Sequence, residues 1–178
     1  MRLQSDVSRR HMLAISAAAG GLAIGCGFRG ASAQAGKRIE RLDPSLDAII
    51  DMSQPIQELA SGLGGELGPA EGPVWWKEGH YLLFSDIGNN RRMKYTPGQG
   101  VTVFKESTNH ANGLTRDLQG RLVACEQDAR RVARQELDGS ITVIANSFQG
   151  HRLNRPNDVV VKSDGSIYFT DPNGHSGP

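Results

Sequence analysis

The chain has 178 residues, 22 of them glycine and 8 proline, with 6% aromatic content and a formal net charge of +1. That composition belongs to a folded, turn-rich protein and excludes collagen-like or wholly disordered chains. The near-neutral balance, which turns mildly acidic once the first 35 residues are set aside, argues against a nucleic-acid partner, which needs a concentrated basic footprint.

In chain order, residues 1–35 read as an export signal. A charged start containing Ser8-Arg9-Arg10-His11-Met12-Leu13 precedes an apolar, Ala/Gly-rich run that ends near Phe28. Ala31-Ser32-Ala33 and the overlapping Ala33-Gln34-Ala35 supply the alternating small residues that a signal peptidase accepts. The apolar run is shorter and weaker than the roughly 20 residues of a membrane span. Paired arginines before such a run resemble a twin-arginine signal, although His11-Met12 replaces the usual bulky pair, so the general secretory route stays open. Export puts the mature protein in the periplasm or outside the cell, off the membrane once the signal is removed. The first 35 residues hold Arg2, Arg9, Arg10 and Arg29 against Asp6, a net of +3, so their loss takes the chain from +1 to −2. Cys26 lies in a poor lipoprotein cleavage context. Its removal leaves Cys125 alone in an alternating strand, with no partner for an internal disulfide.

Residues 36–70 read as an N-terminal extension. A short helix is expected over residues 41–50, capped by Asp43 with Pro44 in its first turn. A strand is expected near residues 56–60, followed by a glycine-rich loop over residues 62–69. From Glu71 the pattern becomes short apolar runs separated by turns, with no long amphipathic helix. Pro97-Gly98, Gln119-Gly120, Asp138-Gly139 and Asp164-Gly165 are tight-turn dipeptides between them. The runs repeat: Glu71-Gly72-Pro73-Val74, Asn112-Gly113-Leu114-Thr115 and Asn157-Asp158-Val159-Val160 open successive units 41 and 45 residues apart. The second strand of each unit ends on a polar group, at Phe84-Ser85-Asp86, Ala124-Cys125-Glu126 and Phe169-Thr170-Asp171. Four strands at that period predict an all-β fold, a β-propeller, with a sandwich as the alternative. About two and a half units are present, so residues 71–178 are expected to be an incomplete propeller of two to three blades, truncated before closure.

Four segments, in order, are similar to the gluconolactonase (regucalcin, senescence marker protein) family. They are Glu71-Gly-Pro-Val-Trp75 with Leu83-Phe-Ser-Asp86, and Ala111-Asn-Gly-Leu-Thr115 with Gly120-Arg-Leu-Val-Ala-Cys-Glu126. The third and fourth are Gly150-His-Arg-Leu-Asn-Arg155-Pro-Asn157-Asp-Val-Val160 and Ser163-Asp-Gly-Ser-Ile-Tyr-Phe-Thr-Asp171-Pro172. The resemblance implies a six-bladed propeller carrying one divalent cation, calcium first, with zinc or magnesium also admissible. It implies Glu71 as a metal ligand, Asn157 as a metal ligand or substrate contact, and Arg155 as a residue that reaches the substrate's hydroxyls. A carboxylate and an amide carbonyl are the oxygen donors that a hard cation takes. The reaction implied is hydrolysis of a sugar lactone or similar cyclic ester by metal-activated water, in a protein expected to be monomeric at full length. A further Asn in a Pro-Asn-Gly segment and an Asp general base are expected beyond Pro178. No catalytic base is therefore assigned here, and the segment by itself is expected to be inactive.

Plainer roles stand beside these. Glu71 could orient a turn, Asn157-Asp158 could cap backbone groups, and Asn112 could be structural. Trp75 and Trp76 read as blade packing. The pairs Arg91-Arg92 and Arg130-Arg131 read as solvated edges, and His110, His151 and His175 as surface or channel-wall residues. No Gly-x-Ser-x-Gly elbow, phosphate loop or zinc spacing occurs. Two rival functions remain: a metal-dependent arylesterase or organophosphate hydrolase of the same type, and a non-catalytic binding scaffold or gene remnant.

Overall fold

The structure, a computed structural model, describes residues 39–65 and 69–173. The export signal and Cys26 lie outside the described residues, as does His175. The chain divides into two units, residues 1–56 and 57–178. Among its described residues, the first holds a single 3-10 turn, Pro44–Ala48. Asp43 caps it by accepting from the Ser45 backbone N–H at 2.8 Å, with Pro44 at its start. The helix expected over residues 41–50 is thus one short turn. The strand expected near residues 56–60 does not form: Ile56 and Leu59 are exposed, and no strand among the described residues pairs with them. No helix among the described residues is long and apolar enough to cross a membrane.

The second unit is all-β. Strands β1 (Ala70–Trp76), β2 (Tyr81–Asp86), β3 (Arg91–Thr96) and β4 (Gly100–Glu106) form an antiparallel sheet in sequence order. Strands β5 (Ala111–Arg116), β6 (Leu122–Glu126), β7 (Arg131–Gln135) and β8 (Ile141–Ala145) form a second sheet of the same design. A two-residue hairpin, β9 (Ser147–Phe148) with β10 (His151–Arg152), then leads to β11 (Val159–Val161) paired with β12 (Ile167–Phe169). These are two four-stranded blades and the opening pair of a third. Gly98, Gly120, Gly139 and Gly165 all have positive φ, as the turn dipeptides require. The β9–β10 hairpin was not anticipated. Gln149 and Gly150 both take positive φ at its tip, the two-residue turn that a Gln-Gly pair can make.

The blades stack through two apolar layers. Leu83 of the first blade packs with Leu114, Leu122 and Ala124 of the second, flanked by Val74, Trp76 and Tyr81. Val123, Cys125 and Val132 of the second pack with Val159 of the third, flanked by Ile144, Ile167 and Phe169. The period-2 alternation of β6 sends Leu122 and Ala124 one way and Val123 and Cys125 the other, so all five of its residues are buried. Cys125 is fully buried, and its apolar surroundings push the thiol pKa up to about 12, so it is an inert core group. Arg92 departs from the expected solvated edge. On β3 it is the cross-strand partner of Ser85 on β2 and is only 4% exposed, whereas the equivalent place in the second blade pairs Cys125 with Val132. Burial lowers the Arg92 pKa to about 10, opposed by the charge of Glu126, and Nε has no partner among the described residues.

An acidic side chain ends the second strand of each blade and clamps the segment entering that blade. Asp86 accepts from the Gly64 N–H at 2.6 Å and from Arg91 Nη2 at 2.6 Å. Glu126 accepts from Asn109 Nδ2 at 2.8 Å and Arg131 Nη2 at 2.7 Å. Asp171 accepts from the Asn154 N–H at 2.8 Å. The first arginine of each pair 91–92 and the second of 130–131 are therefore ion-paired rather than free. Burial by itself would raise the Asp86 pKa, but its hydrogen bonds to Arg91, Gly64 and Asn89 outweigh that and hold it below 3.8.

A carboxylate depressed in the folded state stabilises fully above its unfolded pKa, and that stabilisation is lost as pH falls through the lower folded value. Asp86→Asn is therefore expected to destabilise the fold by about 3 kcal/mol at pH 7 and to flatten the loss of stability below pH 4. Urea melts across pH 2.5–7 check both effects.

Candidate functional site

The innermost strands β1, β5 and the start of β11 lie side by side, and one open cavity of about 440 Å³ runs along them. Glu71, Asn112 and Asn157, the first polar residue of each repeat, all line it. Two local features put them there. The ladder between β1 and β2 is interrupted between Glu71 and Val74, and that between β5 and β6 between Ala111 and Leu114. A bulge re-aims the side chain it carries, and the same irregularity in both blades turns Glu71 and Asn112 to the same side. The second feature is the absence of a Cβ. Gly72, at φ 61°, lies so close to the Asn112 carbonyl that no side-chain carbon fits. At Gly113 a Cβ would sit 2.6 Å from the Asp158 Cα and 2.7 Å from the Asn157 carbonyl oxygen.

Hydrogen bonds complete the seam. Ser85 Oγ donates to the Asn112 carbonyl at 2.6 Å, and the Gly113 N–H donates to the Asn157 carbonyl at 2.7 Å. The Asn157 N–H donates to the Thr170 carbonyl at 2.8 Å. The backbone of Asn157 is thus held from both sides. Its side-chain amide, and the carboxylate of Glu71, make no hydrogen bond among the described residues. Two oxygen donors are left uncommitted, that of Asn157 on a backbone held from both sides.

Arg155, two residues before Asn157, does not line this cavity. It is half exposed and donates from Nη2 to Gln127 Oε1 at 3.0 Å, with Asp128 Oδ1 at 3.9 Å. Trp75 is not blade core as expected. Strand alternation packs Val74 and Trp76, both partly buried, against the interblade layer and turns Trp75, 46% exposed, toward the cavity, where Val160 joins it. Trp76 stacks on Tyr81 at 6.1 Å, with the Arg116 guanidinium 4.4 Å above its ring. Sequence reasoning also missed the polar rim at this end of the blades. His110 Nδ1 lies 2.6 Å from Asp128 Oδ2, and Arg152 Nη2 donates to the Ala129 carbonyl at 3.4 Å. No group of three or more His, Cys, Asp or Glu side chains converges on a metal position among the described residues.

Gly72→Ala is expected to push the first two blades apart, lowering stability by about 2 kcal/mol or more. The denaturation midpoint measures this, and Trp75 fluorescence reports the opened cavity. An unchanged midpoint would mean that the strands slide apart freely.

Comparison with known proteins gives matching results. The model of the SMP-30/gluconolactonase/LRE-like region matches residues 69–178. A gluconolactonase of Zymomonas mobilis subsp. mobilis is 34% identical over 149 residues, which is 76% of this chain and 41% of that protein. The solved gluconolactonase of Xanthomonas campestris superposes with a TM-score of 0.55 at 38% identity, covering 58% of this chain and 35% of that one. A second solved structure, a putative gluconolactonase, gives 0.59 at 36% identity, covering 66% and 39%. The chain spans about two fifths of the length of the curated relative it matches.

Proposed function

Since the chain belongs to the SMP-30/gluconolactonase/LRE-like family, we propose that its blades are part of an exported hydrolase that opens a sugar lactone or similar cyclic ester. The observation that carries this reading is the convergence of Glu71 and Asn157, from blades far apart in sequence, on one cavity. The Arg9-Arg10 pair and the apolar run behind it support export.

Glu71 and Asn157 are the groups that would hold a divalent cation. Both offer oxygen, which suits calcium better than zinc, a metal that favours nitrogen and sulfur. Their freedom from other hydrogen bonds fits that use. When bound, such a cation polarises a carbonyl and makes a bound water more acidic. The chain's own residues do the positioning. Trp75 and Val160 give the cavity an apolar wall for the carbon face of a cyclic substrate, and Asn157, rigid at its backbone, orients the polar edge. Arg155 on the rim, if it turns inward, reaches the substrate's hydroxyls. A small neutral lactone fits this wall better than a polymer, and neither nucleic acid nor a partner protein is needed.

Two measurements test the reading. Terbium, a luminescent stand-in for calcium, is expected to bind the 178-residue chain and to be sensitised by Trp75. Glu71→Gln should raise its half-saturation concentration at least about tenfold, roughly one lost charge-assisted contact. Equal affinity in the variant would remove Glu71 from the site. For activity, the protein expressed from its whole reading frame is assayed by pH-stat on aldonolactones, an aryl ester and an organophosphate. Acid release from the lactone, lost on chelation, is the expected result. Preference for the aryl or phosphate ester would replace the proposed substrate class, and no turnover of any of them would favour a binding scaffold.

A further inference from the structure

Three equivalent positions line the cavity, and Asn112 is the middle one. Ala70 pairs with Asp86 and Ala111 with Glu126, so Glu71 and Asn112 each stand one residue past the acidic clamp of their blade. Asn157, bonded to the Thr170 carbonyl beside Asp171, takes the same place in the third. Asn112 is the most enclosed of them, with 3% of its surface exposed. Its carbonyl accepts from Ser85 Oγ at 2.6 Å and lies against Gly72, and the next residue, Gly113, donates its N–H to the Asn157 carbonyl at 2.7 Å. The backbone is therefore fixed. The side-chain amide makes no hydrogen bond among the described residues. Nor does it belong to the side-chain polar atoms sealed from solvent without a partner, which are Arg92 Nε, Arg116 Nε and Asp171 Oδ1. The amide thus keeps contact with open space, and the open space that Asn112 lines is the cavity.

We propose that the Asn112 side chain is a specificity-determining contact for a hydroxyl on the lactone ring, an assignment that rests on the lactone-hydrolase reading. An amide suits this use because Nδ2 donates while Oδ1 accepts, and a hydroxyl answers both. Arg155, the residue expected to reach the hydroxyls, lies on the rim against Gln127 and does not line the cavity. Glu71 only accepts, and Asp158 on the same wall already turns Oδ1 to the Val159 N–H at 2.9 Å. With Trp75 and Val160 against the carbon face of the ring, its hydroxyl edge meets the amides on the polar side. Enclosure makes the contact selective. A ring without the hydroxyl displaces water from the Asn112 amide and leaves it unpaired, a penalty that a hydroxylated ring escapes.

The test uses the protein expressed from its whole reading frame, with glucono-δ-lactone and the hydroxyl-free δ-valerolactone as probes. Each rate is taken relative to spontaneous hydrolysis, and the wild type is expected to favour the hydroxylated ring. Asn112→Leu, similar in size but without polar atoms, should lower kcat/KM for that ring about ten- to a hundredfold and leave δ-valerolactone unchanged or improved. Asn112→Ala, which cannot overpack, should shift the selectivity the same way. The terbium half-saturation of the 178-residue chain should keep its wild-type value in both. An equal loss on both lactones would overturn the assignment, since damage to the fold does not distinguish hydroxyls. So would variant rates on the hydroxylated ring within about threefold of wild type. A raised terbium half-saturation would overturn it by making Asn112 a metal ligand, and a wild type that opens both lactones equally well would do so without any variant. All these outcomes leave the lactonase reading standing. No turnover of either lactone by the wild type would overturn both.

Discussion

Everything at the candidate site depends on how closely the inner strands approach. Gly72 and Gly113 have no side chain where the next blade's backbone arrives, so each inner strand slides under the asparagine of its successor. A single added carbon at either place would meet a carbonyl or a Cα with no room to yield. The seam is closed by Ser85 on the Asn112 carbonyl and by Gly113 on the Asn157 carbonyl. Residues separated by more than eighty positions, Glu71 and Asn157, thereby share one wall.

The rest of the unit keeps that seam in register. Each blade uses one acidic residue, Asp86, Glu126 or Asp171, to tie the end of its second strand to the segment entering the blade. In the first two blades the same carboxylate pairs with the arginine that starts the third strand. Loops at that end then interlock from blade to blade. Asn90 holds the segment bearing His110, that segment holds the turn bearing Asp128, and Arg130 reaches the Leu153 carbonyl of the next connection. The layers between blades differ in character. The second and third meet through Cys125 and Val132, whereas the first and second place Ser85 and a buried Arg92 at the equivalent positions. A buried cation without a close counter-charge is unfavourable, which makes this the less comfortable of the two layers.

Glu71 and Asn157 emerge as uncommitted oxygen donors, while Asn112 is tied down through its carbonyl and contributes to the wall. Arg155 belongs to the rim with Gln127 and Asp128. The cavity has an apolar wall at Trp75 and Val160 and a polar one at Glu71, Asn112 and Asn157.

The repeat of 41 and 45 residues, the turn glycines and the alternating strands by themselves determined an all-β fold of short strands and pointed to blades, with a sandwich left open; the pairing order of the strands was decided by the tertiary structure. For the strands themselves local chemistry sufficed, because a turn needs its glycine and a half-buried strand its alternation wherever they occur. Glu71 and Asn157 were singled out by the resemblance of their segments to the gluconolactonase family, since Asn112 opens a repeat just as they do. Only the tertiary structure decided which residues meet. Sequence could not tell Trp75 from Trp76, because neighbouring residues on one strand face opposite sides and only packing names the side. It could not separate buried Arg92 from ion-paired Arg91, or show His110 reaching Asp128 from another turn. Those outcomes depend on contacts between blades, and contacts between segments far apart in the chain leave no periodic trace in either segment.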